Sequence, residues 1–246
     1  FPGINSLFQS SPRKSDGHEK WADFTLKFWH CESVTNVSQK SFAERYQRWC
    51  KKSGYNYSAT KAQTIYSFAA EIISTLPKID AVRQLIINAI AQLNTITETL
   101  SATQREMLRL ASQLPECPVI MQMFGVGETL GPQLIAEIGD VRRFERKQSL
   151  GAFAGVDAPP YQSRTFEAKK RNISKRGSPF LRKTLFQIMK TYLQHAPVNE
   201  PMYQFLDRKR SEGKNYYVYM MAGANKFLRI YYGTVMAYLK QLDSAS

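Results

Sequence analysis

A mainly α-helical chain, with a long coiled-coil helix leading into a compact helical domain, is what the sequence predicts, and three observations predict it. Apolar residues recur at helical spacing through most of the 246 positions. One stretch keeps an unbroken alternation of four- and three-residue steps over four to five heptads. Stretches that alternate apolar and polar residues, the mark of half-buried strands, are few.

Residues 1–60 form a mixed helical segment. Behind a polar Ser10–Asp16 loop, Trp21, Phe24, Phe28 and Trp29 fall at helical spacing, as do Phe42, Tyr46 and Trp49. Such stripes predict short amphipathic helices that share a small packed core, because large apolar side chains usually serve burial. Residues 61–117 read as a helical hairpin or coiled coil. Tyr66, Ala69, Ile73 and Leu76 mark a helix closed by Pro77. Val82, Ile86, Ala89, Leu93, Ile96, Leu100, Thr103, Met107, Leu110 and Leu114 then form a heptad seam that ends at Pro115. The seam fits a rod of roughly 50 Å, paired either with a second chain or with the helix before it.

Residues 118–246 carry most of the basic excess and read as the functional half. Helices are predicted at about 128–138, 147–154, 179–194, 201–211 and 218–241. Gly125-Val126-Gly127 joins an apolar segment to the first of these and resembles a helix-hairpin-helix turn. Glycines let the backbone approach a phosphate, and the unpaired N–H groups opening the next helix supply donors. The other reading of this turn is a tight glycine link between packed helices. Arg142 and Arg143 follow closely and favour the phosphate.

Gly155 to Glu167 is rich in turn formers and reads as an exposed loop containing Ser163 and Arg164. The basic run Lys169, Lys170, Arg171, Lys175 and Arg176 leads to a helix start, with Ser178 as N-cap and Pro179 at the first helical position. Arg182 and Lys183 lie one turn on. A cationic helix N-terminus can grip a phosphodiester, and a nearby hydroxyl could attack it. Composition alone gives Ser163 no privilege over other loop serines.

The whole-chain balance agrees with a polyanionic partner: 34 Lys and Arg against 20 Asp and Glu give a net charge of +14. No apolar run approaches the length of a membrane span, so a membrane partner is not expected and the localisation expected by default is cytoplasmic. Cys31, Cys50 and Cys117 are widely spaced and read as reduced thiols without metal.

From Met123 through Met189, and on through Pro201 to Leu239, the chain resembles the C-terminal half of IS110/IS116/IS902 transposases. The strings that carry the resemblance are Gly125-Val126-Gly127, Ala136-Glu137-Ile138-Gly139-Asp140, Phe153-Ala154-Gly155, Ser174-Lys175-Arg176-Gly177-Ser178 and Leu181-Arg182-Lys183. Gly17 to Trp21 and Gly223 to Tyr232 are similar to one branch of that family. The resemblance implies a RuvC-like domain with four metal-binding acidic residues first, then a coiled coil, then a helical domain with an essential serine. This chain reads as beginning after the acidic domain.

By that resemblance Ser163 matches the nucleophile, and Arg164 stands where the family has glycine, which alters the local geometry or adds a phosphate contact. The function implied is transposition of an insertion sequence: DNA strands are cleaved and transferred through Ser163, with Mg²⁺ held by ligands outside this chain. The implied partners are transposon-end and target DNA, a guide RNA as used by some members, and a second copy through the coiled coil. The alternative is a non-catalytic helix-hairpin-helix module that binds nucleic acid, and a third class is a coiled-coil assembly protein.

Overall fold

The computed structural model describes residues 1–9, 13, 16–158, 162–163, 166–167 and 172–245, which divide into two units, Phe1–Thr103 and Gln104–Ser246. The fold is mainly α, as predicted.

In the first unit a 3-10 turn at Ile4–Leu7 precedes α1 (Lys20–Lys27), α2 (Glu32–Thr35), α3 (Gln39–Lys52), α4 (Ala59–Glu71) and most of α5 (Asp80–Ala111). Ser38 and Ser58 begin α3 and α4 by accepting the backbone N–H of Ser41 and Lys61 on their hydroxyls. The aromatic stripes face inward. Phe24 stacks on Phe28 with centroids 4.7 Å apart, and Phe28 meets Phe42 edge-on at 5.5 Å. Phe24, Phe42, Tyr46 and Ile65 are fully buried among them. The stripes are therefore a packed core, as the spacing predicts.

The expected helix through Ile73 and Leu76 stops earlier, at Glu71, and Ile73 is 87% exposed. Two local effects end it. The residue before Pro77 is biased away from helical geometry, and the Ser74 hydroxyl bonds the Leu76 carbonyl at 2.7 Å in place of a helical turn. Buried His30 accepts the Glu32 N–H on Nδ1, and its Nε2 lies 2.9 Å from the Ser74 hydroxyl, which fixes this link.

The long helix is present. α5 runs for 32 residues, about 48 Å at the usual rise, and ends short of Leu114. Val82 and Ile90 are buried, whereas Ile96, Leu100, Leu110 and Leu114 on the heptad seam are exposed. Within one chain the seam is uncovered over much of its length.

The second unit contains α6 (Cys117–Met121), α7 (Leu130–Ile138), a 3-10 turn at Val141–Arg143, α8 (Lys147–Ala154), α9 (Pro179–His195), α10 (Pro201–Ser211) and α11 (Tyr216–Ala245). Between α8 and α9 the two-residue strands β1 (Gln162–Ser163) and β2 (Phe166–Glu167) pair antiparallel. Helix positions in this half follow the sequence closely, because Pro179 and Pro201 sit at first helical positions and Gly155 closes α8 in a left-handed cap. Leu134, Leu150, Leu185, Ile188, Phe227 and Leu228 interdigitate in one core, each worth about 1.5–3 kcal/mol of burial. No helix among the described residues is long and apolar enough to cross a membrane.

Candidate nucleic-acid interface

The turn between α6 and α7 uses its glycines differently from one another. Gly125 has φ +80°, and a Cβ there would meet the Ile188 carbonyl oxygen and Cγ2 at 3.4 Å, so this glycine lets the turn lie against α9. Gly127 faces open space. Of the two glycines expected to approach a phosphate, Gly125 is used in packing and Gly127 is open.

A second glycine pair builds the more distinctive feature. Past α8 the chain leaves through Gly155 and returns through Asn172–Ser178 along a short ladder. Ser174 N donates to Asp157 O at 2.9 Å, Lys175 N to Gly155 O at 3.1 Å and Ser178 N to Phe153 O at 2.8 Å. The two backbones lie so close that a Cβ on Gly177 would overlap the Phe153 carbonyl. Lys175 takes φ +54° at this crossing, a left-handed conformation that costs a non-glycine residue about 1–3 kcal/mol.

The crossing is locked from two sides. The Ser178 hydroxyl accepts the Leu181 N–H at 3.1 Å, capping α9 as expected, and donates to Glu137 on α7 at 2.8 Å. Arg182 Nη1 donates to the Ala154 carbonyl at 2.9 Å.

Beside the crossing lies a cleft of about 1050 Å³. Its walls are the returning segment from Asn172 to Lys175, the α9 side chains Lys183 and Phe186, and Tyr217, Met221 and Asn225 from the start of α11. Lys175 and Lys183 are exposed, and no acidic residue lines the cleft among the described residues. The nearby carboxylate of Asp157 accepts the Ser174 hydroxyl at 2.5 Å. Ala158 and Asn172, which flank the segment 159–171 bearing Ser163, both line the cleft.

Residues 117–204 match the family described as Transposase IS116/IS110/IS902 family. Over these residues the chain is similar to that family. It is similar to the transposase for insertion sequence element IS1111A of Coxiella burnetii (strain RSA 493 / Nine Mile phase I), at 26% identity over 52% of this chain and 34% of that protein. It is also similar to the putative transposase y4rJ of Sinorhizobium fredii (strain NBRC 101917 / NGR234), at 30% identity over 41% of this chain and 25% of that protein. The chain thus spans about a quarter to a third of the curated relatives it matches.

The second unit distributes the expected site residues unevenly. Lys175, Arg182 and Lys183 come together at the cleft, and Arg182 is engaged with backbone carbonyls there. Arg176 is exposed beside Lys175 without lining the cleft. Arg142 bonds both carboxylate oxygens of Asp140 at 3.1 Å and lies 4.0 Å from Asp243. These bonds raise the guanidinium pKa of Arg142 and hold Asp140 below its ordinary value. The Arg143 guanidinium stacks over Phe144 and Phe153 at 4.7 Å from each centroid.

Ser163 belongs to β1, opposite Phe166, and only its backbone is among the described parts of the chain. Arg164, Lys169, Lys170 and Arg171 are outside the described residues. Sequence reasoning missed Phe186, Tyr217 and Asn225. The signal was the pair Tyr216-Tyr217, which an expected helix start at 218 left in the preceding turn. Tyr217 and Asn225 also fall beyond the family's matched span.

Proposed function

We propose that this chain is the DNA-gripping and strand-transfer portion of an insertion-sequence transposase, with Ser163 as the nucleophile. The observation that carries the reading is the cleft whose exposed lysines lack acidic neighbours among the described lining residues, and whose lining includes both flanks of the Ser163 segment. Lys175 and Lys183 would hold a phosphodiester by charge-assisted hydrogen bonds. The Ser163 oxygen would then bond to phosphorus as one DNA P–O bond breaks. The serine proton leaves to a base and the departing DNA oxygen takes up a proton, so the step conserves the number of phosphate ester bonds. Rejoining is the reverse step with a different DNA hydroxyl.

The Mg²⁺ that the family resemblance implies finds no cluster of three or more His, Cys, Asp or Glu side chains among the described residues. Its ligands are proposed to come from elsewhere. The exposed heptad residues of α5 support association with a second copy. A guide RNA is a further proposed partner for the basic surface, alongside transposon-end and target DNA.

In the parent transposase, Ser163→Ala is expected to bind DNA normally and to give no covalent protein–DNA adduct on a denaturing gel. An adduct from that variant removes Ser163 from the chemistry. A wild-type parent that binds DNA without ever forming an adduct favours the non-catalytic module. Replacing Lys175 by Asn and Lys183 by Ala should flatten the dependence of log K on log salt by about 0.9 for each phosphate that is no longer neutralised.

A further inference from the structure

The cleft contains more than phosphate binding requires. A duplex backbone is held by cations and N–H donors, yet this cleft also presents an aromatic shelf and two amide side chains. Phe186 and Tyr217 stack with centroids 6.1 Å apart and an interplanar angle of 24°. Tyr216 braces both edge-on, at 6.1 Å from Phe186 and 5.3 Å from Tyr217. Even so, Tyr217 is left 71% exposed and its neighbour Val218 56% exposed. Phe186 is partly buried against the core, whereas Tyr217 is held outward and lines the same cleft as Lys175 and Lys183. Asn172 and Asn225 complete the lining, and each offers an amide with two donors and an acceptor.

We propose that the cleft receives one unpaired nucleobase of a nucleic-acid strand. The base stacks on Tyr217, its hydrogen-bonding edge meets Asn172 or Asn225, and its flanking phosphates lie on Lys175 and Lys183. The proposal rests on the reading of the chain as a DNA-handling protein and names the form of strand that it takes. Stacking tolerates any base because every base has a π face, while amides discriminate among edges. An apolar protein segment is the poorer occupant. It would match the apolar floor but leave two lysines without counter-charge, one of them held in an unfavourable backbone conformation at the rim. The cleft volume, about 1050 Å³, lies just above the usual range of ligand sites, about 300–1,000 Å³, which leaves room for a nucleotide with its neighbouring phosphates.

The test uses the intact chain and two oligonucleotide duplexes that carry 2-aminopurine, one fully paired and one with the probe in a single-base bulge, each in deoxy and ribo form. Binding of the bulged probe should quench its fluorescence, because the base stacks on a tyrosine, and the paired probe should change little. Tyr217→Ala should weaken binding to the bulged duplex roughly 5- to 150-fold, the range for losing one stacked base. It should abolish the quench and leave paired-duplex affinity within about twofold, while Tyr217→Phe should restore both signals. The deoxy and ribo arms show which strand is preferred.

Equal weakening of paired and bulged duplexes by Tyr217→Ala overturns the base site and leaves DNA binding intact. So does a quench that survives the substitution. A change of sedimentation behaviour on Tyr217→Ala, without any change in oligonucleotide binding, assigns the shelf to contact between copies and overturns the proposal. Failure of the wild-type chain to bind either duplex defeats the DNA-handling reading itself. Exposure of Tyr217 means its truncation removes little packing, and an unchanged urea midpoint confirms that the variant folds.

Discussion

The two units solve the problem of packing helices in different ways, and the difference locates function. The unit Phe1–Thr103 fills its core with rings: Phe24, Phe28, Phe42, Tyr46 and Trp49 touch one another in stacked and edge-on pairs. Half-buried polar groups at its edge are paired with one another, as when Arg13 bonds Asp16 and lies 3.4 Å from Asp23, which also accepts the Tyr55 hydroxyl. The unit Gln104–Ser246 is packed with aliphatic side chains and uses glycine to bring backbones together at Gly155 and Gly177. Close backbone crossing leaves little room for adjustment, and it is where Lys175 is strained and Lys183 is left exposed beside a cleft. Rings tolerate small shifts; a glycine crossing does not. Rigid placement of charge therefore belongs to the second unit.

The largest effect expected on this contrast comes from Gly177→Ala. The new Cβ would overlap the Phe153 carbonyl and lie 2.5 Å from the Gly155 nitrogen, both of them backbone atoms that cannot rotate away. A loss above about 3 kcal/mol is expected from the urea midpoint. Gly54→Ala in the first unit also forces a positive φ, +71°, but into open space, and should cost only about 1–2 kcal/mol. Equal losses from the two substitutions would break the comparison.

Next in size is Arg182→Met, which keeps the aliphatic stem and removes the donor to Ala154 O. A loss of about 1.5–3 kcal/mol is expected, the range for a hydrogen bond to a charged group. The salt slope of DNA binding should change little, because this guanidinium is already engaged with backbone carbonyls. A flattened slope with unchanged stability would place Arg182 among the phosphate contacts.

How far the sequence foretold all this follows the same divide. Ser178, Pro179, Pro201 and Gly155 mark helix ends through chemistry local to the chain, so α8, α9 and α10 were readable almost to the residue. The end of α4 was not, because Ile72 and Ile73 continue the apolar pattern while a side-chain bond from Ser74 and the turn before Pro77 end the helix. Lysines of the cleft were legible as a charge cluster near a helix start. Their partners across it were not. Phe186 looks like one more core residue of an amphipathic helix, and Tyr217 meets it only through the packing of α11 on α9. Gly125 was legible only in part: the motif offered a phosphate turn or a tight link between helices, and the contact with Ile188 that uses this glycine depends on how α9 packs.

A smaller change of opposite sign sharpens the picture of the aromatic core. The Tyr46 hydroxyl is buried without a hydrogen-bond partner among the described residues, and burial pushes its pKa well above the usual phenol value. Tyr46→Phe should keep the stacking on Phe42 and Trp49 and raise stability by about 1 kcal/mol, since an unsatisfied buried hydroxyl is removed. A destabilised variant would mean that the hydroxyl serves the core after all.

The least effect is expected from acid, and it too divides the units. Asp140 is held below its ordinary pKa by the side-chain and backbone N–H groups of Arg142. Asp16 is pushed upward by burial, but the Arg13 and His18 hydrogen bonds, with the charges of the same two residues, leave it lowered as well. A carboxylate whose folded value lies below its unfolded value of about 3.9 contributes stability above that pH. The contribution fades as pH falls through the folded value. Both groups should therefore steepen the loss of stability below about pH 4. Asp16 is the more enclosed, at 29% side-chain exposure against 53% for Asp140, so solvent screens its ion pair less. Urea midpoints followed from pH 6 to pH 3 should flatten more with Asp16→Asn than with Asp140→Asn, and the reverse order would show that the pairing at Arg13 is the weaker of the two.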